Sequence, residues 1–256
     1  MIVKTVSNAF RIVEEISRRG ELGITEICQT LSLAKSSAHD LAETLLAEGV
    51  LEKNADTKRY SLGSRLIELG NRAQNQFDIV RLAHPFLLEL SEKTEETVHL
   101  TVLDNDEVLY LDCVESRLRF RMTSIIGARC PLHCTGVGKA ILAYLPETEQ
   151  SRIIKEKGLH QYTKNTIHEE SKMRDELRKI VKQGYAIDNM EHEDFLRCVS
   201  APIFNFEGRV FASVSVSGLA ERNTFKRLSS ISKLVTETAD NISRRLGYTG
   251  KPQPGH

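Results

Sequence analysis

Residues 32–62 read SLAKSSAHDLAETLLAEGVLEKNADTKRYSL, and their patterning decides the fold of the amino-terminal part of the chain. Ala38, Leu41, Ala42, Leu45 and Leu46 recur at helical spacing, so one face of a helix is apolar. Its other face carries Lys35, Ser36, Ser37, His39 and Asp40, and Gly49 follows Glu48 where a left-handed cap is favoured. Beyond Gly49 the period changes. Val50 to Lys53 and Arg59 to Leu62 read as two short strands around the turn residues Asn54 to Lys58.

Upstream, Ala9, Ile12, Val13 and Ile16 form another amphipathic helix that ends near Arg19. Leu22 to Ile24 is a short extended piece, and Thr25 is the expected N-cap of a second helix burying Ile27, Cys28 and Leu31. Three helices followed by a hairpin make a winged helix-turn-helix. A single helix fits the major groove, so Lys35, Ser36, Ser37, His39 and Asp40 are the expected contacts to base edges and phosphate. Lys53, Lys58 and Arg59 on the hairpin are expected along the flanking backbone. Downstream, Leu66, Leu69 and Ala73 continue as a narrow apolar stripe, which reads as a linker helix whose partner is either its own domain or the same helix of a second subunit.

The whole composition limits the alternatives. The 256 residues hold 35 basic and 35 acidic side chains, with 40% apolar residues, so the chain is globular and not a general polyanion binder. Any nucleic-acid contact must then come from a local face. Five scattered cysteines and no apolar leader or bilayer-length run imply free thiols and a cytoplasmic protein with no membrane partner. No cofactor, no metal site and no catalytic residue is expected.

In the remaining chain, Ile79, Leu82, Ala83, Phe86, Leu87 and Leu90 mark a helix in which Pro85 is tolerable only near the start or at a kink. Val98, Leu100 and Val102 then alternate, and Asp104 to Asp106 turns the chain into a second strand, Val108 to Val114. Arg119 to Ile125 is a further candidate strand. Gly136 and Gly138 precede an expected helix from Ala140 to Leu145, either because a backbone without side chains allows close approach of an anion or as a glycine-rich turn needed only for packing. This is no P-loop, since the glycine spacing is wrong and no Ser or Thr follows Lys139. Helices over 147–157 and 169–183, a strand Tyr185 to Asp188, strands Arg197 to Phe206 and Arg209 to Ser217, and a last helix Phe225 to Leu246 complete the pattern. Ser213, Ser215 and Ser217 share one strand face, either as the solvent side of an edge strand or as the lining of a pocket.

Nearly the full length of the chain resembles the IclR family of bacterial transcriptional regulators. The resemblance rests on GELGITEI, LAKSSAHDLAETLLAEGVLE, RYSLG, EETVHLTVLD, CPLHCTGVGKAILAYLP, TKNTI and LRCVSAPIFNFEGRVFASVSVSGLAER. It implies an α+β chain in four parts: a winged helix-turn-helix over 1–62, a linker and dimerisation helix over 63–77, a GAF-like antiparallel-sheet effector domain over 78–248, and a flexible tail over 249–256. It further implies a homodimer or dimer of dimers on a double-stranded DNA operator, acting as a repressor of a catabolic operon whose operator affinity is controlled by a small organic acid, a carboxylate such as a keto acid, a sugar-acid derivative or an aromatic acid. The implied effector contacts are the N–H groups of Gly136 and Val137, the side chains of Asp188, Cys198, Ser215 and Ser217, and an apolar wall with Met122 and Leu196. Asp188 is expected at the far end of the ligand, accepting from a hydroxyl and away from the carboxylate. Two residues depart from the family pattern: Phe195 stands where Gly is common, and Asp40 where a basic residue is frequent.

A rival reading is a GAF-like small-molecule thiol enzyme, because Cys130, His133 and Cys134 lie close in sequence. It requires a thiol of low pKa beside a base, or about four ligands around a metal.

Overall fold

A computed structural model describes residues 3–76, 78–118 and 125–250, which divide into two compact units at residues 76 and 77. In the first unit, α1 (Lys4–Arg19), α2 (Ile24–Leu31) and α3 (Lys35–Ala47) precede the strands β1 (Leu51–Lys53) and β2 (Tyr60–Leu62) and the helix α4 (Arg65–Gln76). Ile12 and Ile16 of α1, Ile27 and Leu31 of α2, and Ala38 and Ala42 of α3 meet Leu22, Leu51 and Tyr60 in one buried core. Small alanines on α3 let the helices approach closely, while Leu41, Leu45 and Leu46 are half-buried around them. Leu22 pairs with Tyr60 through both backbone bonds, 3.0 and 2.8 Å, and so adds a third short strand to the hairpin.

The local chemistry explains the ends of these elements. Helix α2 starts at Ile24 with Gly23 as its N-cap, and the Gly23 N–H donates to Oε2 of Glu26 at 2.7 Å. Thr25 is therefore inside the first turn, because Glu26 supplies the capping acceptor from three residues on. After α3, Gly49 takes φ +70°, the left-handed value that an L side chain rarely adopts. In the β1–β2 turn, Oδ1 of Asn54 accepts from the N–H groups of Asp56 and Thr57 at 2.9 and 3.0 Å.

The second unit is built on one antiparallel sheet of six strands in the order β5-β4-β3-β8-β7-β6. These are β3 (Thr97–Asp104), β4 (Glu107–Val114), β5 (Arg129–Cys130), β6 (Ala186–Asn189), β7 (Leu196–Phe204) and β8 (Val210–Leu219). Five helices accompany them: α5 (Asp78–Thr94), α6 (Gly136–Leu142), α7 (Glu147–Lys157), α8 (Glu170–Gln183) and α9 (Phe225–Arg245). Period-two alternation gives the sheet two different faces. Val98 and Leu100 of β3, Val199 and Ala201 of β7, and Val214 and Val216 of β8 pack with α5 and α9 in one core. A second core joins α6, α7 and α8 around Ile141, Ile153, Met173 and Leu177. Each of the Val, Leu, Ile and Met side chains among these contributes about 1.5–3 kcal/mol on full burial.

Several expectations are corrected. Gly136 and Gly138 do not precede a helix; they form the first turn of α6, which Thr135 caps by accepting from the Gly138 N–H at 3.1 Å. Pro85 lies well inside α5, where it withholds the donor that the Arg81 carbonyl would otherwise meet. Strand β8 is an inner strand with β3 and β7 beside it, and Ser213, Ser215 and Ser217 are buried, so the solvent-edge reading of the serines fails. The expected strand over 119–125 falls, save Ile125, outside the described residues, as do residues 251–256 of the expected tail and Met122. Among the described residues, no helix is long and apolar enough to cross a membrane.

Candidate functional site

On the first unit, Lys35, Ser36 and Ser37 occupy the first turn of α3, with His39 and Asp40 in the second, and all five are exposed. No side chain caps this helix at Ala34, so its leading N–H groups remain available to an anion such as phosphate. The hairpin cations differ from one another. Lys53 donates to Oε1 of Glu43 at 2.7 Å and lies over the Tyr60 ring, which raises its pKa and lowers that of Glu43. Arg59 pairs with Glu26 at 2.7 Å and donates to the Glu21 carbonyl at 2.8 Å. Lys58, at the exposed tip with φ +57°, has no side-chain partner among the described residues.

On the second unit, the buried polar face of the sheet opens into a cavity of about 420 Å³. The register explains why. Asp188 of β6 stands opposite Cys198 of β7, Cys198 opposite Ser217 of β8, and Ser200 opposite Ser215, which in turn faces His99 of β3. Helix α6 closes the space from above with Gly136 and Val137. All the described effector residues expected from the sequence, namely Gly136, Val137, Asp188, Leu196, Cys198, Ser215 and Ser217, line this one cavity.

Its chemistry is set by burial. His99 is wholly buried, which pushes its pKa down to about 4, so the ring is neutral. Its Nδ1 lies 3.2 Å from Oγ of Ser215 and 3.3 Å from Oγ of Ser217, which orients both hydroxyls. Burial pushes the Asp188 carboxyl up to about 7, opposed by the Glu191 N–H, which donates to Oδ1 at 2.7 Å. Glu191 in turn accepts from Nζ of the fully buried Lys139 at 2.5 Å, and Oε1 of Glu176 lies 3.5 Å from the same nitrogen. Asp188 is not at the far end of the cavity from α6. Its backbone nitrogen and Cβ would lie 3.5 and 3.6 Å from a Cβ on Gly136, because pairing of β6 at the sheet edge brings the two together.

The sequence reading did not single out His99, Tyr110, Thr135 or Ser200. Ser200 is fully buried, its Oγ has no partner among the described residues, and its alternation with Cys198 along β7 was the available signal. His99 carried no such signal, because its partners lie 116 and 118 residues away. The Cys130, His133 and Cys134 group does not form a reactive centre. Burial raises the pKa of Cys130 and Cys134, and His133 is engaged through Nε2 with the His160 carbonyl at 2.8 Å. Among the described residues no cluster could hold a metal ion.

An exposed, uncapped α3 beside a β-hairpin, followed by a cavity-bearing α+β unit, defines a winged helix-turn-helix regulator that binds DNA. Two family models match: the IclR helix-turn-helix domain over residues 5–55 and the bacterial transcriptional regulator IclR C-terminal domain over residues 71–244. The chain belongs to the IclR family, and it is a transcriptional regulator rather than an enzyme. It is 34% identical to the HTH-type transcriptional regulator XynR of Escherichia coli K12, over 96% of this chain and 98% of that one. It is 30% identical to the transcriptional repressor IclR of the same organism, over 97% and 91%. The crystal structure of the Thermotoga maritima IclR superposes with a TM-score of 0.81 at 37% identity, covering 96% of this chain and 99% of that one.

Proposed function

We propose that the chain is a repressor of a catabolic operon whose operator affinity is set by a small organic acid held in the second unit. The observation that carries this reading is the 420 Å³ cavity, a volume suited to one small molecule, lined by buried hydroxyls and by the first turn of α6. An acid would set its carboxylate against Gly136, Val137 and the hydroxyls of Ser200, Ser215 and Ser217, with Leu196 and Cys198 alongside. Asp188, increasingly neutral as pH falls below about 7, would then donate to the ligand.

DNA contact is assigned to Lys35, Ser36, Ser37, His39 and Asp40 in the groove and to Lys58 on the backbone, with Lys53 and Arg59 shaping the hairpin. The working unit is a homodimer or dimer of dimers. Supporting this, Val6 and Phe10 on α1 and Ile67 on α4 are 55%, 66% and 68% exposed, an apolar set that a second copy would cover. The repressor sense follows the named repressor relative. The coupling needed is modest: about 1–3 kcal/mol between the two sites changes DNA affinity roughly 5–150-fold.

Fluorescence anisotropy on DNA from the chain's own upstream region, titrated with a panel of small organic acids, tests the reading. At least one acid is expected to shift operator affinity, and Ser215→Ala with Ser217→Ala is expected to abolish that shift while leaving acid-free affinity intact. A response that survives the double change places the effector elsewhere.

A further inference from the structure

The cavity is graded from floor to mouth. Ser200 and Ser215 are 0% and 2% exposed, whereas Phe195 and Ile125 are 58% and 74% exposed. The floor therefore ends in hydroxyls, including Oγ of Ser200, which has no partner among the described residues, and the mouth carries a phenyl ring and a branched aliphatic chain beside His192 and Glu193. Phe195 is not on a freely swinging segment, since its carbonyl accepts from the Ala220 N–H at 2.9 Å. Glu193 also lines the mouth, 3.8 Å from His192, and its carboxylate opposes a second negative charge there. Large apolar groups left in water beside a preformed cavity gain most from a ligand whose outer end is also apolar.

We propose that Phe195 is a specificity-determining residue, selecting a monocarboxylate with an aromatic or apolar body over polyhydroxylated or dicarboxylic acids of similar length. The inference rests on the reading of this cavity as the effector site. Against the Phe195 ring itself a hydroxylated outer end would lose water without gaining a hydrogen bond, Glu193 and His192 lying 3.8 Å from each other at the same mouth, and a second carboxylate would meet Glu193.

Isothermal titration of the full chain with phenylacetate, gluconate and succinate tests this. Phenylacetate is expected to bind at least about tenfold more tightly than the other two. Phe195→Ser is expected to weaken phenylacetate by about tenfold and gluconate by less than about threefold, and Phe195→Leu to retain most of the phenylacetate affinity. Tighter binding of gluconate or succinate to the unaltered chain, or a phenylacetate preference unchanged by Phe195→Ser, overturns the assignment. That result leaves the site reading standing if Ser215→Ala with Ser217→Ala still abolishes binding. Failure of all three acids to bind, or binding untouched by the serine changes, overturns both. Phe195 is too exposed for its replacement to endanger folding, and an unchanged melting temperature checks this.

Discussion

A Cβ atom on Gly136 would stand 2.6 Å from Oγ of Ser200, within the space enclosed by α6 and the sheet. Gly136→Ala must push that hydroxyl aside and shrink the cavity. Acid-induced thermal stabilisation should disappear, at a folding cost of about 1–3 kcal/mol for overpacking, read by urea unfolding. Undiminished acid binding in this variant would contradict the placement of the ligand beside α6.

Asp188 makes the protein sensitive to pH near neutrality. Its folded carboxyl is raised from the ordinary 3.8 to about 7, chiefly by burial. A bound carboxylate should therefore be held more tightly at pH 6, where Asp188 is neutral and can donate, than at pH 8, where its charge repels. The linkage has the same origin: the unfolded acid ionises first, so stability is lost as pH rises from about 4 towards 7 and is level above. Asp188→Asn should remove both dependences, and its advantage over the natural chain should grow across that window by up to about 1.4 kcal/mol per pH unit. Urea unfolding and acid titration at pH 5, 6 and 8 measure the two effects.

Lys139 and Glu191 are a buried ion pair 2.5 Å apart, and the Glu191 N–H donates to Asp188 at the end of β6. Lys139→Met leaves the Glu191 carboxylate without its counter-ion and should cost about 3–5 kcal/mol. Adding Glu191→Gln should recover at least half of that loss, because the uncompensated charge is gone. Denaturant unfolding of the single and double variants gives the coupling, and equal instability of the two would show that the pair is not the cause.

The hairpin cations should separate in a salt titration of operator binding. Lys58→Ala should weaken specific and non-specific DNA alike and reduce the salt slope by roughly 0.9. Lys53→Ala should leave that slope nearly unchanged, since Lys53 is already committed to Glu43. Equal slopes for both variants would place Lys53 on the phosphate as well.

The helix-turn-helix was legible because it is local. The spacing of Ala38 and Ala42, the cap at Gly49 and the turn at Asn54 each act within a few residues, and each is visible in the structure. The start of α2 differs from expectation, Ile24 being helical and Gly23 donating its N–H to Glu26. The stripe Ser213, Ser215 and Ser217 was likewise visible from alternation alone, but not whether it faced water or a cavity.

By itself, the sequence determined most of the elements, since periodicity, caps and turns depend on neighbours along the chain, and its resemblance to the family supplied seven of the residues that line the cavity. Tertiary pairing alone decided that β8 is an inner strand, that His99 sits beneath two serines more than a hundred residues away, and that Asp188 lies beside Gly136. It also decided the charge states, because desolvation of His99 and Asp188 depends on every element packed around them.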